Sequence, residues 1–130
     1  MKKSTLILFL SSVIALGLGA QPRLIKPEAA KAMLQANKNA ILVDVRTLEE
    51  YVDGHIGGAI LLPYDAINAA SAAASLGTDK GRDIILYCRS GRRSSIAASA
   101  LASLGYTKVY DMGAIGSWTF GILKGPPPKR

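Results

Sequence analysis

The chain has few of the residues that build disulfide bridges and metal sites. Its 130 residues include one cysteine, Cys88, and one histidine, His55. An internal disulfide is therefore impossible, and a zinc site made of cysteine and histidine ligands is disfavoured. The fold must rest on its hydrophobic core, and we expect no metal and no cofactor.

Acidic residues are also scarce, with nine Asp and Glu against 16 Lys and Arg and a formal net charge of +7. A nucleic-acid partner would need a longer basic stripe with interleaved aromatic residues. The positive charge is instead partly concentrated around the thiol, at Arg89, Arg92 and Arg93. This pattern favours a small anionic substrate and argues against nucleic acid.

Residues 1–20 have the order of a secretory signal peptide. Two lysines precede an apolar stretch at 6–16 that only two serines interrupt, and the small residues Gly17, Gly19 and Ala20 follow. The apolar part is short for a membrane span. We expect cleavage after Gly19 or Ala20, a periplasmic product and no stable membrane association after processing. The alternative is an uncleaved anchor.

About 110 residues remain after removal of this segment, enough for one domain and not for two. We assign residues 21–124 to that domain and expect it to be a monomer. The last six residues, 125–130, are rich in proline and basic, which predicts an extended, disordered tail.

Helical and strand signals alternate along the mature chain. Such alternation predicts an α/β fold, a mostly parallel sheet with helices on both faces. The predicted strands are the apolar runs 41–45, 59–62, 84–87 and 109–110. The predicted helices begin at Pro27, span 48–52 and 65–76, and run from Ser94 to a stop at Gly105.

The cysteine lies where a strand signal ends and a helix signal begins. After Cys88 come Arg89-Ser90-Gly91-Arg92-Arg93, and then the helix predicted from Ser94. Backbone N–H groups of such a loop and the positive end of the helix dipole converge on one point, which favours an anion. A thiol placed there should have a depressed pKa and act as a nucleophile.

Four motifs, in order, resemble those of the rhodanese family. The motifs are Asp44-Val45-Arg46 with Glu49-Glu50-Tyr51, Gly54 to Ile60, the loop from Tyr87 to Ser94, and Leu104-Gly105-Tyr106 with Val109-Tyr110. The resemblance extends from Leu24 to Ile122 and implies a central, mostly parallel five-stranded sheet. One departure precedes Trp118: the family often has two glycines there, and this chain has Gly113 followed by Ala114.

The resemblance implies a sulfurtransferase. Cys88 would attack the outer sulfur of thiosulfate or a similar donor, release sulfite and carry a persulfide that cyanide or a thiol then collects. The expected substrate-binding residues are those of the loop: Arg89, Ser90, Gly91, Arg92, Arg93 and Ser94. Asp44 and Arg46 are expected to support the site as a buried ion pair, and His55 by hydrogen bonding at a turn.

Two alternatives to sulfur transfer by turnover remain. Phosphatases and arsenate reductases of the same fold resemble this chain, but their loop is one residue longer, with arginine six positions after the cysteine. Here Ser94 holds that position and Arg93 lies five after Cys88. The other alternative is a persulfide carrier that binds a partner protein, which the same loop would serve equally well.

Overall fold

The structure is a computed structural model that describes residues 20–129, so residues 1–19 of the predicted signal peptide lie outside it. Five strands and four helices alternate along these residues. In chain order they are β1 (Arg23–Leu24), α1 (Pro27–Ala36), β2 (Ile41–Asp44), α2 (Leu48–Asp53), β3 (Ile60–Leu61), α3 (Ala69–Leu76), β4 (Ile84–Cys88), α4 (Arg92–Ser103) and β5 (Val109–Ala114). Two short 3-10 helices follow β3 and β5, at Tyr64–Ala66 and Ile115–Ser117.

The five strands form one sheet in the order β1-β5-β4-β2-β3, and every pairing in it is parallel. Helices cover both faces. Residues of α3 and α4 pack on one face of β4, around Leu86 and Leu101, and residues of α1 and α2 pack on the other, around Ile85 and Tyr51. The predicted α/β architecture is therefore confirmed. Strand β4 is buried along its whole length because it lies between two strands and two helical layers.

Several element boundaries differ from the sequence-based ones. The helix predicted at 65–76 begins only at Ala69, because Asn68 caps it: the Asn68 side chain accepts from Ser71 N and the Ser71 hydroxyl accepts from Asn68 N. The segment before it forms the 3-10 turn Tyr64–Ala66. Strand β1 was not predicted, since two exposed residues carry no periodic pattern.

The end of β5 is irregular where the sequence departs from the family pattern. The register against β4 shifts by one residue, so that Leu86 pairs with Asp111 but Tyr87 pairs with Gly113. Gly113 has φ +79°, which side chains other than glycine rarely adopt. Ala114 follows as a strand residue and pairs with Cys88. This bulge carries the end of β5 alongside the active-site loop.

The start of α2 and the end of α4 have clear physical causes. A capping box starts α2, in which Thr47 Oγ1 accepts from Glu50 N and the Glu50 carboxylate accepts from Thr47 N. Helix α4 stops before Gly105, as predicted, and that residue has φ +96°. Within residues 20–129, no helix combines the length and apolarity needed to cross a membrane.

Candidate active site

The active-site loop joins the end of β4 to the start of α4. Helix α4 begins at Arg92, two residues earlier than predicted, so Gly91 is its N-cap. Gly91 has φ +101°, and a Cβ added to it would lie 3.9 Å from the Cα of Gly113. The turn thus needs glycine for its conformation rather than for lack of space. It is this turn that directs the first N–H groups of α4 back toward Cys88.

The Cys88 sulfur lies at the floor of this loop. Gly91 N donates to Cys88 Sγ at 3.0 Å, and Ser94 Oγ lies 3.4 Å from the same sulfur. Ser94 Oγ also lies 3.1 Å from the carbonyl oxygen of Gly91, to which its hydroxyl donates when the sulfur is a thiol. Both Cys88 and Ser94 are fully buried. The loop therefore surrounds one sulfur atom with hydrogen-bond donors and excludes water from it.

Two opposing effects act on the pKa of the Cys88 thiol. Burial raises it, because a thiolate loses hydration in the interior. Hydrogen bonds from the Ser94 hydroxyl and from the backbone N–H groups of Ser94, Gly91 and Ser90 lower it, and together they prevail. The pKa of Cys88 lies below its ordinary value, so the thiolate is favoured without any contact to a base.

Asp44 and Arg46 form a buried ion pair beside the loop. Arg46 donates to both carboxylate oxygens of Asp44, with the Nη2–Oδ2 distance at 2.7 Å, and also to the carbonyl of Gly54 at 2.6 Å. Burial lowers the pKa of Arg46, but the hydrogen bonds and charge of Asp44, with smaller contributions from Tyr87 and Glu50, raise it above its ordinary value. Asp44 pairs in register with Tyr87, the residue before Cys88. Through Arg46, the ion pair links the end of β2, the neighbour of the strand that carries Cys88, to Gly54 at the far end of α2.

His55 lies in the turn after α2. Its Nδ1 is 2.7 Å from the carbonyl oxygen of Tyr51, and its ring stacks on the Tyr51 ring at 3.7 Å between centroids. The next residue, Ile56, donates its N–H to the Tyr87 hydroxyl at 3.1 Å. Both of these His55 contacts are with Tyr51 of α2. The His55 side chain therefore stabilises the turn and does not contact the Cys88 sulfur.

The two arginines that open α4 differ in their surroundings. Arg93 makes a bidentate ion pair with Glu50 of α2, with both N–O distances at 2.7 Å. Arg92 is exposed and belongs to none of the ion pairs of residues 20–129. Sequence reasoning missed Glu50 as a site residue, because it lies 43 residues before Arg93 on another helix. The Arg93 bond, then Thr47, lowers the pKa of Glu50 from 4.5 to about 2.

An open groove of about 550 Å³ lies next to the loop. Its lining residues come from α2, the loop and the chain after β5, and they are Arg46, Glu50, Asp53, Gly54, Arg89, Ile115, Gly116, Trp118 and Ile122. Arg89 is the predicted loop residue that lines it. Sequence reasoning missed its apolar members Ile115 and Ile122, because they lie in irregular chain with no periodicity to mark them.

A second cavity, of about 580 Å³, lies on the other side of α2. Tyr51, His55 and Ala59 line it from the turn, and Leu123 and the prolines of 126–128 line it from the C-terminal segment. No residue of the loop from 88 to 94 borders it. The predicted chemistry therefore belongs to the groove at Arg89.

Comparison with known proteins identifies the family of this chain. The family model described as "Rhodanese-like domain" matches residues 26–119. The chain belongs to the rhodanese-like domain family. In solved structures, it is similar to a rhodanese-like protein from Anabaena (TM-score 0.70, 27% identity, 78% of this chain and 92% of that one). It is also similar to "rhodanese with anions from E. coli" (TM-score 0.59, 31% identity, 66% and 99%).

Curated relatives of this rhodanese-like chain include sulfurtransferases of different lengths. It is 35% identical over 95 residues to a sulfurtransferase of Allochromatium vinosum, covering 72% of this chain and 85% of that protein. It is 34% identical over 83 residues to thiosulfate sulfurtransferase PspE of Escherichia coli, covering 64% and 78%. It also matches a protein of Mycobacterium tuberculosis named probable adenylyltransferase/sulfurtransferase MoeZ, at 35% identity over 95 residues, but spans only 24% of that protein's length.

Replacing Ser94 with alanine should raise the pKa of Cys88. The change removes the hydroxyl that stabilises the thiolate and leaves burial, which opposes it, in place. Ultraviolet absorbance of the thiolate against pH measures the shift at the one cysteine, once the titration of Cys88→Ser is subtracted to remove the signal of the five tyrosines. Ser95→Ala, at the exposed neighbouring position, is the matched control and should leave the titration unchanged. A Ser94→Ala titration identical to wild type would contradict the prediction.

Replacing Glu50 with glutamine should destabilise the protein by about 1–2 kcal/mol at neutral pH, since it removes a bidentate charged pair that is only partly exposed. The folded-state pKa of Glu50 is about 2 against an ordinary 4.5. Its stabilising effect is therefore complete above about pH 4.5 and is lost as the pH falls toward 2. Measured by urea unfolding, the difference in the free energy of unfolding between wild type and variant should shrink as the pH falls from about 4.5 toward 2.

The matched control for this experiment is Glu49→Gln, one residue earlier. Glu49 is exposed and belongs to neither ion pair of the described residues 20–129. Its replacement should change the free energy of unfolding by less than about 0.5 kcal/mol. Equal effects of the two substitutions at every pH would show that the Arg93 pair contributes nothing specific.

Proposed function

We propose that this chain is a sulfurtransferase that works through a persulfide on Cys88. It takes a sulfane sulfur from thiosulfate or a similar anionic donor and gives it to cyanide or a thiol. The observation that carries the proposal is the Cys88 sulfur itself, fully buried, with a lowered pKa, at the floor of a loop of N–H donors. A lowered pKa increases the fraction of the nucleophilic thiolate, and the same donors would hold the anion that it becomes.

In the first step the Cys88 thiolate attacks the outer sulfur of the donor. A bond forms between Sγ and that sulfur, and the bond from that sulfur to the sulfonate sulfur breaks. With thiosulfate, the bonding electron pair leaves on sulfite. The terminal sulfur of the persulfide then carries the negative charge, and the backbone N–H groups of the loop, with the Ser94 hydroxyl, are placed to stabilise it.

In the second step the acceptor attacks the terminal sulfur of the persulfide. With cyanide, a carbon–sulfur bond forms, the sulfur–Sγ bond breaks, and thiocyanate leaves. With a thiolate, the acceptor becomes a persulfide. In both cases the electron pair of the broken bond returns to Cys88 Sγ, and the thiolate is regenerated. Neither step requires a metal or a redox cofactor.

The arginines of the loop divide between support and substrate binding. The guanidinium of Arg93 is occupied by Glu50, so we assign Arg93 to positioning the start of α4. Arg89 and Arg92 are exposed, and neither belongs to an ion pair within residues 20–129. They are the side chains available to bind the sulfonate end of a donor by charge-assisted hydrogen bonds.

The loop geometry favours sulfur over phosphate chemistry. Helix α4 starts four residues after Cys88, and the sixth position holds Ser94, whose hydroxyl is already in contact with Sγ. The arginine that phosphatases of this fold have at the sixth position after the cysteine is therefore absent. A persulfide carrier would use the same geometry as an enzyme, and repeated turnover with a small donor and acceptor distinguishes the two.

Incubation with thiosulfate should add one sulfur atom to the protein, and cyanide should remove it as thiocyanate. Intact-mass spectrometry measures the adduct, and a colorimetric assay measures thiocyanate. Cys88→Ser should abolish both, because it removes the nucleophile, whereas aryl phosphates should not be hydrolysed by either form. Undiminished thiocyanate production by Cys88→Ser would remove Cys88 from the mechanism. A single round without turnover would favour the carrier.

We also propose that the protein is exported to the periplasm and processed. In a Gram-negative host the mature N-terminus should be Ala20 or Gln21, because the small residues preceding these positions suit signal cleavage. N-terminal sequencing of the periplasmic fraction measures this. Full-length protein in the membrane fraction would instead identify residues 1–20 as an anchor.

A further inference from the structure

One wall of the groove beside the loop is apolar and partly open to solvent. Ile115, Trp118 and Ile122 form this apolar wall, and Ile122 is 45% exposed. The indole of Trp118 is held in place, since its Nε1 donates to the carbonyl of Gly121 at 3.1 Å and its ring meets Phe120 edge-on at 5.0 Å. A fixed aromatic ring and two aliphatic side chains form a preorganised surface for an apolar group.

The charged residues of the groove leave little net positive charge. Arg46 and Glu50 are each committed to an ion pair, with Asp44 and Arg93 respectively. The remaining two, Arg89 and Asp53, are exposed and have opposite signs. Arg92 is not among the lining residues, so the groove itself offers one guanidinium and one carboxylate. This balance suits a ligand with a single negative charge better than a dianion such as thiosulfate.

The depth of Cys88 decides which part of a donor meets this groove. The sulfur has no exposed surface, so only the outer sulfur of a donor reaches it, and the remainder stays outside the loop. The groove lies at the same edge of the sheet as Cys88: Arg89 follows Cys88 directly, and Ile115 follows Ala114, which pairs with Cys88 in register. The remainder of the donor therefore lies between Arg89 and the apolar wall.

We propose that the apolar wall determines donor specificity and selects organic thiosulfonates, in which an apolar group carries the singly charged –SO₂–S⁻ function, over inorganic thiosulfate. This inference rests on the proposed function. Arg89 binds the sulfonyl oxygens, and the organic group packs on Trp118 and Ile122. Cys88 Sγ bonds to the outer sulfur, the bond from that sulfur to the sulfonyl sulfur breaks, and an organic sulfinate leaves with the electron pair.

The test compares three donors, all with cyanide as the acceptor: benzenethiosulfonate, methanethiosulfonate and thiosulfate. The two thiosulfonates share their reacting atoms, so the change in the ratio of their kcat/KM values between wild type and variant isolates the contact of the ring. In wild type this ratio should be about ten or more, the usual effect of a well-placed apolar contact. Trp118→Leu and Ile122→Ala should each lower the ratio, while kcat/KM for thiosulfate changes less than about twofold.

Ile96→Ala is the matched control, since Ile96 is an isoleucine of similar exposure, 42%, that does not line the groove. It should leave the ratio unchanged. A wild-type ratio near one, or a ratio unchanged in Ile122→Ala, would overturn the inference and leave the proposed function standing. Failure of all three donors to place sulfur on Cys88 would instead reject the proposed function. Trp118 also contacts the core, so Trp118→Leu could fail to fold. In that case the result for Ile122→Ala alone tests the inference.

Discussion

The rest of the site depends on one conflict, the burial of a sulfur that has to carry negative charge. Burial by itself would keep Cys88 protonated and inert. The hydrogen bonds of Gly91 and Ser94 reverse that outcome, and they exist only because the chain turns sharply at Gly91 into α4. The same turn determines where the first arginines of the helix lie. The lowered pKa of Cys88 and the start of α4 are thus two results of one backbone conformation.

This dependence explains which parts of the molecule could be predicted from sequence. Strand β4, the loop after it and the stop of α4 at Gly105 have local signals: an apolar run, a glycine and a periodic stripe. These signals predicted the architecture and the position of the thiol. Strand β1 has no such signal, because its two residues are held by pairing with β5, a contact far away in sequence. The predicted start of α3 was wrong because the prediction overlooked the capping box of Asn68 and Ser71.

The site shows the same division between local and long-range information. The positions of Cys88, Ser94 and the loop N–H groups follow from adjacent residues and needed no structure. The partner of Arg93 could not be predicted in this way, because Glu50 lies 43 residues away on another helix. The groove is even harder to predict from sequence, because its walls come from α2, the loop and the irregular chain after β5. No single segment carries a pattern that brings Arg89 and Ile122 together.

Helix α2 is tied to the active-site edge at both ends, and this has a consequence for how the domain unfolds. It has six residues, too few to be stable on its own, so its order comes from its attachments. Glu50 in its first turn binds Arg93, and Arg46 binds the carbonyl of Gly54 at its far end. The order of the candidate site therefore depends on the same contacts that hold α2 in the fold. Helix α2 and the start of α4 support each other, and local opening of one removes a contact that stabilises the other.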